Sequence, residues 1–420
     1  MSVLDLRKNR AASAWQLKNE LALIACGDPI PIPGGLDQRY EFRPHPDYFW
    51  LTDSRRPGGV LAFDPLEGWF HFQTTVSEAE QVWEGKVPFP VEHTLDQLPQ
   101  WLKARTGRPI AQLGSPLPEI PSDCALSAHL AQLLFHIRRR KDGEEIARIR
   151  RAVAATAHGF SKLPTFIKPG VTERQVKLSL EAAFFEAGAD KVAYDTIVGA
   201  GSNSAILHFP PSLREIRAED LVLIDAGADI GGYVADVTRS FAGDGTLRGR
   251  AKALYDVVLH AQRRAITRCR PGTEWTSIHL ETARDLCQGL IDLNILLGPL
   301  DARLEDESIS LFFPHGIGHM VGFGVRDASG VLPGRSEAPR VCGSYIRADL
   351  PLEEGYLMTI EPGLYFIPPI LNNPERRRRY HDVVLWDELE SWLPVGGVRI
   401  EDNVLTTVGE PDVLTAMIPK

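Results

Sequence analysis

One stretch constrains this chain more than any other: Leu221-Val-Leu-Ile-Asp-Ala-Gly-Ala-Asp-Ile-Gly-Gly-Tyr-Val-Ala-Asp-Val-Thr-Arg-Ser-Phe. Two apolar runs flank a glycine-rich centre, which reads as a β-hairpin with Ile230-Gly231 at its tip. That tip places Asp225 directly opposite Asp236 on one face. Opposed like charges weaken a sheet, and their side-chain carbons would stand only ~5 Å apart. Burying both carboxylates adds a further penalty. A bound cation removes the conflict; a carboxylate turned to solvent or capping a turn would also remove it.

Three later segments bear on that choice. Phe312-Phe-Pro-His-Gly-Ile-Gly-His-Met-Val-Gly carries His315 and His319. Thr359-Ile-Glu-Pro-Gly-Leu-Tyr places Glu361 at the end of an apolar strand, and Gly397-Val-Arg-Ile-Glu-Asp-Asn-Val-Leu places Glu401 inside another. Each alone is weak, because a lone acid in a strand usually faces water. Together, Asp225, Asp236, His319, Glu361 and Glu401 form a candidate dinuclear site. Four carboxylates supply −4 and two divalent ions +4. Oxygen donors with one imidazole and no thiolate favour Mn(II), with Co(II) and Zn(II) as alternatives. Such a pair of ions can activate a water and polarise a carbonyl.

The rest of the chain sets the frame. At 420 residues two domains are the natural division. The boundary is placed at 140/141, ahead of a helical pattern at 144–164. Further helices are expected at 11–26, 172–187, 248–269 and 276–294. Strands are expected at Tyr48–Leu51, Gly59–Phe63, Trp69–Phe72, 192–198, 220–241, 311–325, 355–367 and 396–408. The net charge of −9 argues against a nucleic-acid partner. The basic runs Arg138–Lys141 and Arg376–Arg379 have acidic neighbours and read as solvated. Five scattered cysteines, no apolar leader and no membrane-length run point to a cytoplasmic protein.

The ordered set Asp, Asp, His, Glu, Glu, in the phrases Ile-Asp-Ala-Gly, Pro-His-Gly-Ile-Gly-His, Ile-Glu-Pro-Gly-Leu-Tyr and Val-Arg-Ile-Glu-Asp, resembles the pita-bread metallopeptidases, which include prolidase and aminopeptidase P. The first third is similar to the smaller N-terminal domain of that family around Phe42-Arg-Pro-His-Pro-Asp-Tyr-Phe-Trp. The resemblance implies an α+β fold: a small α/β N-terminal domain (1–140), then a catalytic domain (141–420) with a curved antiparallel sheet flanked by helices.

It also implies roles. Asp236 and Glu401 would bridge two ions, with Asp225 on one and His319 and Glu361 on the other. Glu361 would handle the proton. His208 would stand near the scissile carbonyl, His315 beside the substrate, Arg399 behind the ligands and Tyr233 near the site. Arg347, fourteen residues before Glu361, corresponds to an arginine that grips the substrate's free carboxylate in prolidases. Seven residues after His319 the family carries a histidine where this chain has Arg326, a longer side chain that cannot act as a base. Arg326 is therefore read as a substrate-binding residue of altered preference.

The implied activity is cleavage of Xaa-Pro dipeptides with a free carboxylate, in a homodimer. The alternatives are Xaa-Pro aminopeptidase action on longer peptides and hydrolysis of organophosphate-type esters at the same site. A metal-free binding protein or carbon–nitrogen hydrolase is a more distant rival, since all five donors are present.

Overall fold

The computed structural model describes every residue except 329 and 337. Two compact units divide the chain, Met1–Arg138 and Arg139–Lys420.

The first unit is built on a mixed five-stranded sheet. Leu21–Ala25 lies inside it, antiparallel to Val60–Asp64 and parallel to Ile110–Gly114. Gly68–Gln73 continues the sheet beside Val60–Asp64. Two expectations fail here. The helix expected at 11–26 spans only Val3–Trp15; Gln16 adopts a left-handed φ of 51° and ends it. Leu21–Ala25 is buried at all five residues, so it shows no period by which sequence could separate strand from helix. Tyr48–Leu51, expected as a strand from its aromatic content, lies in the helix Pro46–Thr52. Proline at the first helical position and the His45 cap start that helix, and four of these side chains are fully buried.

The second unit carries long helices at Gly143–Phe166, Glu173–Glu186, Gly249–Thr267 and Trp275–Asp292. Capping boxes at Asp142 and Thr172 begin the first two. These helices bury apolar faces such as Ile149, Val153, Val176 and Leu180. Short antiparallel strands form the layer between them. Leu221–Ala226 is central, flanked by Ile197–Ala200 and Val237–Ala242. Leu357–Ile360 pairs with Asp402–Leu405, and Gly363–Tyr365 with Gly397–Arg399. The segment 311–325, expected as a strand, forms only isolated bridges such as Met320 to Met358.

The basic run Arg138–Lys141 is not the solvated face expected. Arg138 is buried and reaches Asp47 at 2.5 Å, and Lys141 is buried 2.7 Å from Asp327. Distant acids bury these charges, and sequence neighbours do not reveal them. Arg376–Arg379 is exposed, as expected.

The hairpin register also differs from the expectation. Tyr233 pairs with Ile230 and Thr238 with Asp225, so the tip is Gly231-Gly232 and Asp225 does not face Asp236. Both tip glycines have positive φ, 65° and 80°, the requirement of the tight turn whose twist matches a hairpin. Moving the tip by one residue shifts the pairing by two, which preserves the face. Asp225 and Asp236 therefore remain on one side, as diagonal neighbours. A Cβ on Gly232 would stand 2.3 Å from Phe323 Cε2. Gly232→Ala is expected to destabilise the second unit by about 1–3 kcal/mol, through both backbone strain and overpacking, read as a lower urea midpoint.

Candidate metal centre and cavity

The four acids stand on two ribbons, three of them at breaks in the pairing. Val234 pairs with Asp229 and Val237 with Ala226, so Asp236 sits where the first ribbon breaks between its ladders. On the second ribbon Ile360 pairs with Asp402 and Gly363 with Arg399; the same register sets Glu361 across from Glu401 in the gap. Asp236, Glu361 and Glu401 thus stand where pairing is interrupted, whereas Asp225 stays within its ladder opposite Thr238.

The glycine-rich His315–His319 segment joins this frame. Thr359 N donates to His319 O at 2.8 Å and Glu361 N to Ile317 O at 2.8 Å. A Cβ on Gly318 would collide with Thr359 O at 2.0 Å, so only glycine allows this approach. His319 is thereby brought beside the acids. Its Nδ1 meets Met320 O at 3.0 Å, and its Nε2 faces Asp236 Oδ2 at 3.4 Å and Glu361 Oε1 at 3.7 Å. A proton donated from Nδ1 to the carbonyl leaves the Nε2 lone pair turned toward the acids, the arrangement of a metal ligand.

Asp236, His319 and Glu401 each present an atom within 4.8 Å of the others. Asp225 and Asp236 are joined by Tyr194 Oη, at 2.6 and 2.7 Å. All five expected donors line one cavity of about 680 Å³. Burial pushes the Glu361 carboxyl up to about 7. It also raises Asp225, and raises Glu401 well above the usual range, with the neighbouring acids adding to the effect on Glu401. Among the described residues the one guanidinium bonded to these acids is Arg399, which donates to Asp225 Oδ2 at 2.7 Å. The site as built is short of positive charge, and its donors are oxygens with one imidazole. Divalent cations fit it on both counts.

Around the donors lies a hydrogen-bonded frame that the sequence did not disclose. Thr238 Oγ1 donates to Glu401 Oε2 at 2.7 Å and accepts from Arg399 Nε at 3.1 Å. The Asn403 side chain grips the Asp236 backbone at two points, accepting from its N–H at 3.1 Å and donating to its carbonyl at 2.7 Å. Arg239 is buried and donates to Asp402 Oδ1 at 2.8 Å and to the Glu401 carbonyl at 2.6 Å. Buried Glu173 accepts from Ala200 N and Asn203 Nδ2 at 2.9 Å and from Ser212 N at 3.1 Å, fixing the loop that carries His208.

The remaining expected residues divide. His208, Arg326, Arg347, His315 and Arg399 line the cavity. His315 Nδ1 meets the Gly316 carbonyl at 2.8 Å, and its Nε2 lies 2.9 Å from Tyr365 Oη, which accepts from Arg399 Nη1 at 3.0 Å. Burial, reinforced by Arg399, lowers His315 to about 3, so its ring is neutral. Tyr233 is the exception. It is fully buried, its hydroxyl meets Glu145 Oε1 at 3.2 Å, and its ring packs edge-on against Phe323. Tyr194 occupies the place near the acids expected of Tyr233. Tyr365 lay within a phrase that carried the resemblance and Asn403 directly after another, whereas nothing around Tyr194 distinguished it locally.

Fold and donors together define a pita-bread metalloprotein with a carboxylate-rich centre. The chain belongs to metallopeptidase family M24, which matches residues 147–408, and residues 6–125 match the aminopeptidase P N-terminal domain. A probable Xaa-Pro aminopeptidase of Botryotinia fuckeliana is 32% identical over 293 residues, 69% of this chain and 63% of that protein. The mitochondrial intermediate cleaving peptidase 55 of Arabidopsis thaliana is 29% identical over 433 residues, 96% of this chain and 78% of that protein. The structure of proline aminopeptidase P II from Yersinia pestis is 26% identical, covers 100% of this chain and 97% of that one, and superposes with a TM-score of 0.81. The chain spans between 53% and 63% of the length of the first fungal relatives.

Asn403→Ala is expected to weaken binding of divalent manganese about 10- to 100-fold, because it frees the backbone that presents Asp236. Calorimetric titration of the purified chain with Mn(II) reads this directly.

Proposed function

We propose that the chain is a metal-dependent Xaa-Pro aminopeptidase, removing the residue before proline from the N-terminus of short peptides. The observation that carries this reading is the meeting of Asp225, Asp236, His319, Glu361 and Glu401 in one cavity of an M24 fold. The similarity to Xaa-Pro aminopeptidases and the aminopeptidase P N-terminal domain support the aminopeptidase reading over the dipeptidase expected from the sequence. Arg347 on the cavity wall keeps the dipeptidase as a second reading, since an arginine fork fits a free carboxylate.

Divalent ions held by the five donors would supply a Lewis acid and an activated water at neutral pH. Their charge would also draw the Glu361 carboxyl back down, leaving it ionised and able to accept a proton. Glu361 takes the proton from the attacking water and returns it to the imide nitrogen. His208 donates to the oxygen on which charge develops. Arg399 holds Asp225 and, through Tyr365, fixes the neutral His315 ring. The imide nitrogen of proline has no hydrogen to offer a peptidase. Recognition of the ring falls to apolar lining such as Leu207, Phe209, Pro210 and Val325.

Mn(II) is the proposed metal and a homodimer the proposed assembly. Among the described residues no helix is long and apolar enough to cross a membrane. The cytoplasm is the proposed compartment, although one relative is named as mitochondrial.

With Mn(II) loaded, Xaa-Pro-Yaa tripeptides are expected to turn over faster than Xaa-Pro dipeptides. Turnover confined to dipeptides selects the second reading, and absence of any Xaa-Pro cleavage contradicts both. Glu361→Gln is expected to lower kcat about 10²- to 10⁴-fold, measured on the tripeptide. Chelation should abolish cleavage and Mn(II) should restore it.

A further inference from the structure

We infer that His279, on the helix Trp275–Asp292, is a positioning residue for the metal centre: through Ile317 it fixes both the segment that carries His315 and His319 and the backbone of Glu361. The inference deepens the proposed function. It rests on that reading for its effect on bound ions, but not for its effect on the backbone.

His279 is fully buried, and its Nδ1 accepts from Ile317 N at 3.2 Å. The carbonyl of Ile317 accepts from Glu361 N at 2.8 Å. Ile317 is therefore held at both backbone groups, by the helix on one side and by a donor-bearing ribbon on the other. Two residues on, His319 N donates to Thr359 Oγ1 at 3.0 Å. The face of the His279 ring makes a second contact. It stacks on Phe313, with centroids 5.1 Å apart and planes 20° from parallel, and Phe313 meets His315 edge-on at 5.1 Å. One side chain thus steadies the whole stretch from Phe313 to His319. His279 itself does not line the cavity, so it acts only through these neighbours.

An imidazole is costly where this one stands. With Nδ1 as acceptor, the proton of the neutral ring is on Nε2. Burial lowers the ring to about 4, so it is neutral near pH 7. The Val341 backbone favours a proton on the ring, but Nε2 is buried with no partner in hydrogen-bond geometry. A buried donor left in that state destabilises a fold. Leucine would fill the space without that loss, yet could not accept from Ile317 N. Packing alone does not account for a histidine here, whereas the acceptor at Nδ1 does. Contacts of this kind orient the donors behind which they stand.

Two variants separate positioning from packing. His279→Leu removes the acceptor, and His279→Asn restores one close to the position of Nδ1. Hydrogen–deuterium exchange of the metal-free protein reads the backbone. The stretch 313–319 is expected to exchange about tenfold faster in His279→Leu than in wild type, and within about threefold of wild type in His279→Asn. Calorimetric titration with Mn(II) reads the centre. His279→Leu is expected to weaken one of two binding steps about 10- to 100-fold. The other step should change little, because Asp225 and Asp236 stand on the other ribbon. Unchanged exchange, equal loss at both Mn(II) steps, or His279→Asn behaving as His279→Leu would overturn the inference. If His279→Leu does not fold, nitrogen-15 spectra of the histidine rings in the wild type decide: a proton on Nδ1 of His279 contradicts the inference, and one on Nε2 supports it. If the wild type binds no Mn(II), the metal reading has failed, and the exchange result still decides whether His279 holds the segment.

Discussion

The repulsion among four buried carboxylates is the constraint on which the rest of the second unit depends. Asp225, Asp236, Glu361 and Glu401 converge on one cavity although burial raises the cost of ionising three of them. Nothing in the hydrophobic packing requires such a cluster; apolar residues at those positions would stabilise the ribbons more. The acids are tolerated because cations can neutralise them and because a polar frame holds them apart. Tyr194, Thr238, Arg399 and Asn403 each hold an acid or its backbone at hydrogen-bond distance.

The fold supplies this geometry by using two ribbons of the same kind. Each is an antiparallel pair that breaks at Asp236 in one and at Glu361 and Glu401 in the other, and each is stiffened on either side by regular pairing. The His315–His319 segment completes the set because its glycines let one backbone lie against another. Helices such as Glu173–Glu186 cover the layer and add positioning contacts, with Glu173 fixing the loop before His208. The donors therefore sit on rigid elements, while Arg326 and Arg347 line the same cavity as exposed side chains.

Much of this was readable from the chain. The four long helices of the second unit showed the 3.6-residue period, and the five donors stood in phrases whose order carried the resemblance. The register of the hairpin was not readable to one residue, because Ile230-Gly231 and Gly231-Gly232 are both plausible tips until the backbone angles are seen. The buried strand Leu21–Ala25 was lost in a helix because a strand covered on both faces has no alternation. Tyr194 and Glu173 were missed because their partners lie 27 to 42 residues away, and no local pattern records such a contact. Tyr233 was misplaced for the converse reason: its nearness to Asp236 in sequence does not bring its side chain to the cavity, since neighbours on a strand face opposite ways.

Anomalous diffraction from crystals grown with Mn(II) is the most direct test of the claim that these five side chains hold a pair of ions. Two peaks about 3.5–4 Å apart, both contacted by Asp236 and Glu401, are the predicted result. An empty cavity in fully Mn(II)-saturated crystals, or a lone ion bound away from Asp236 and Glu401, would contradict it.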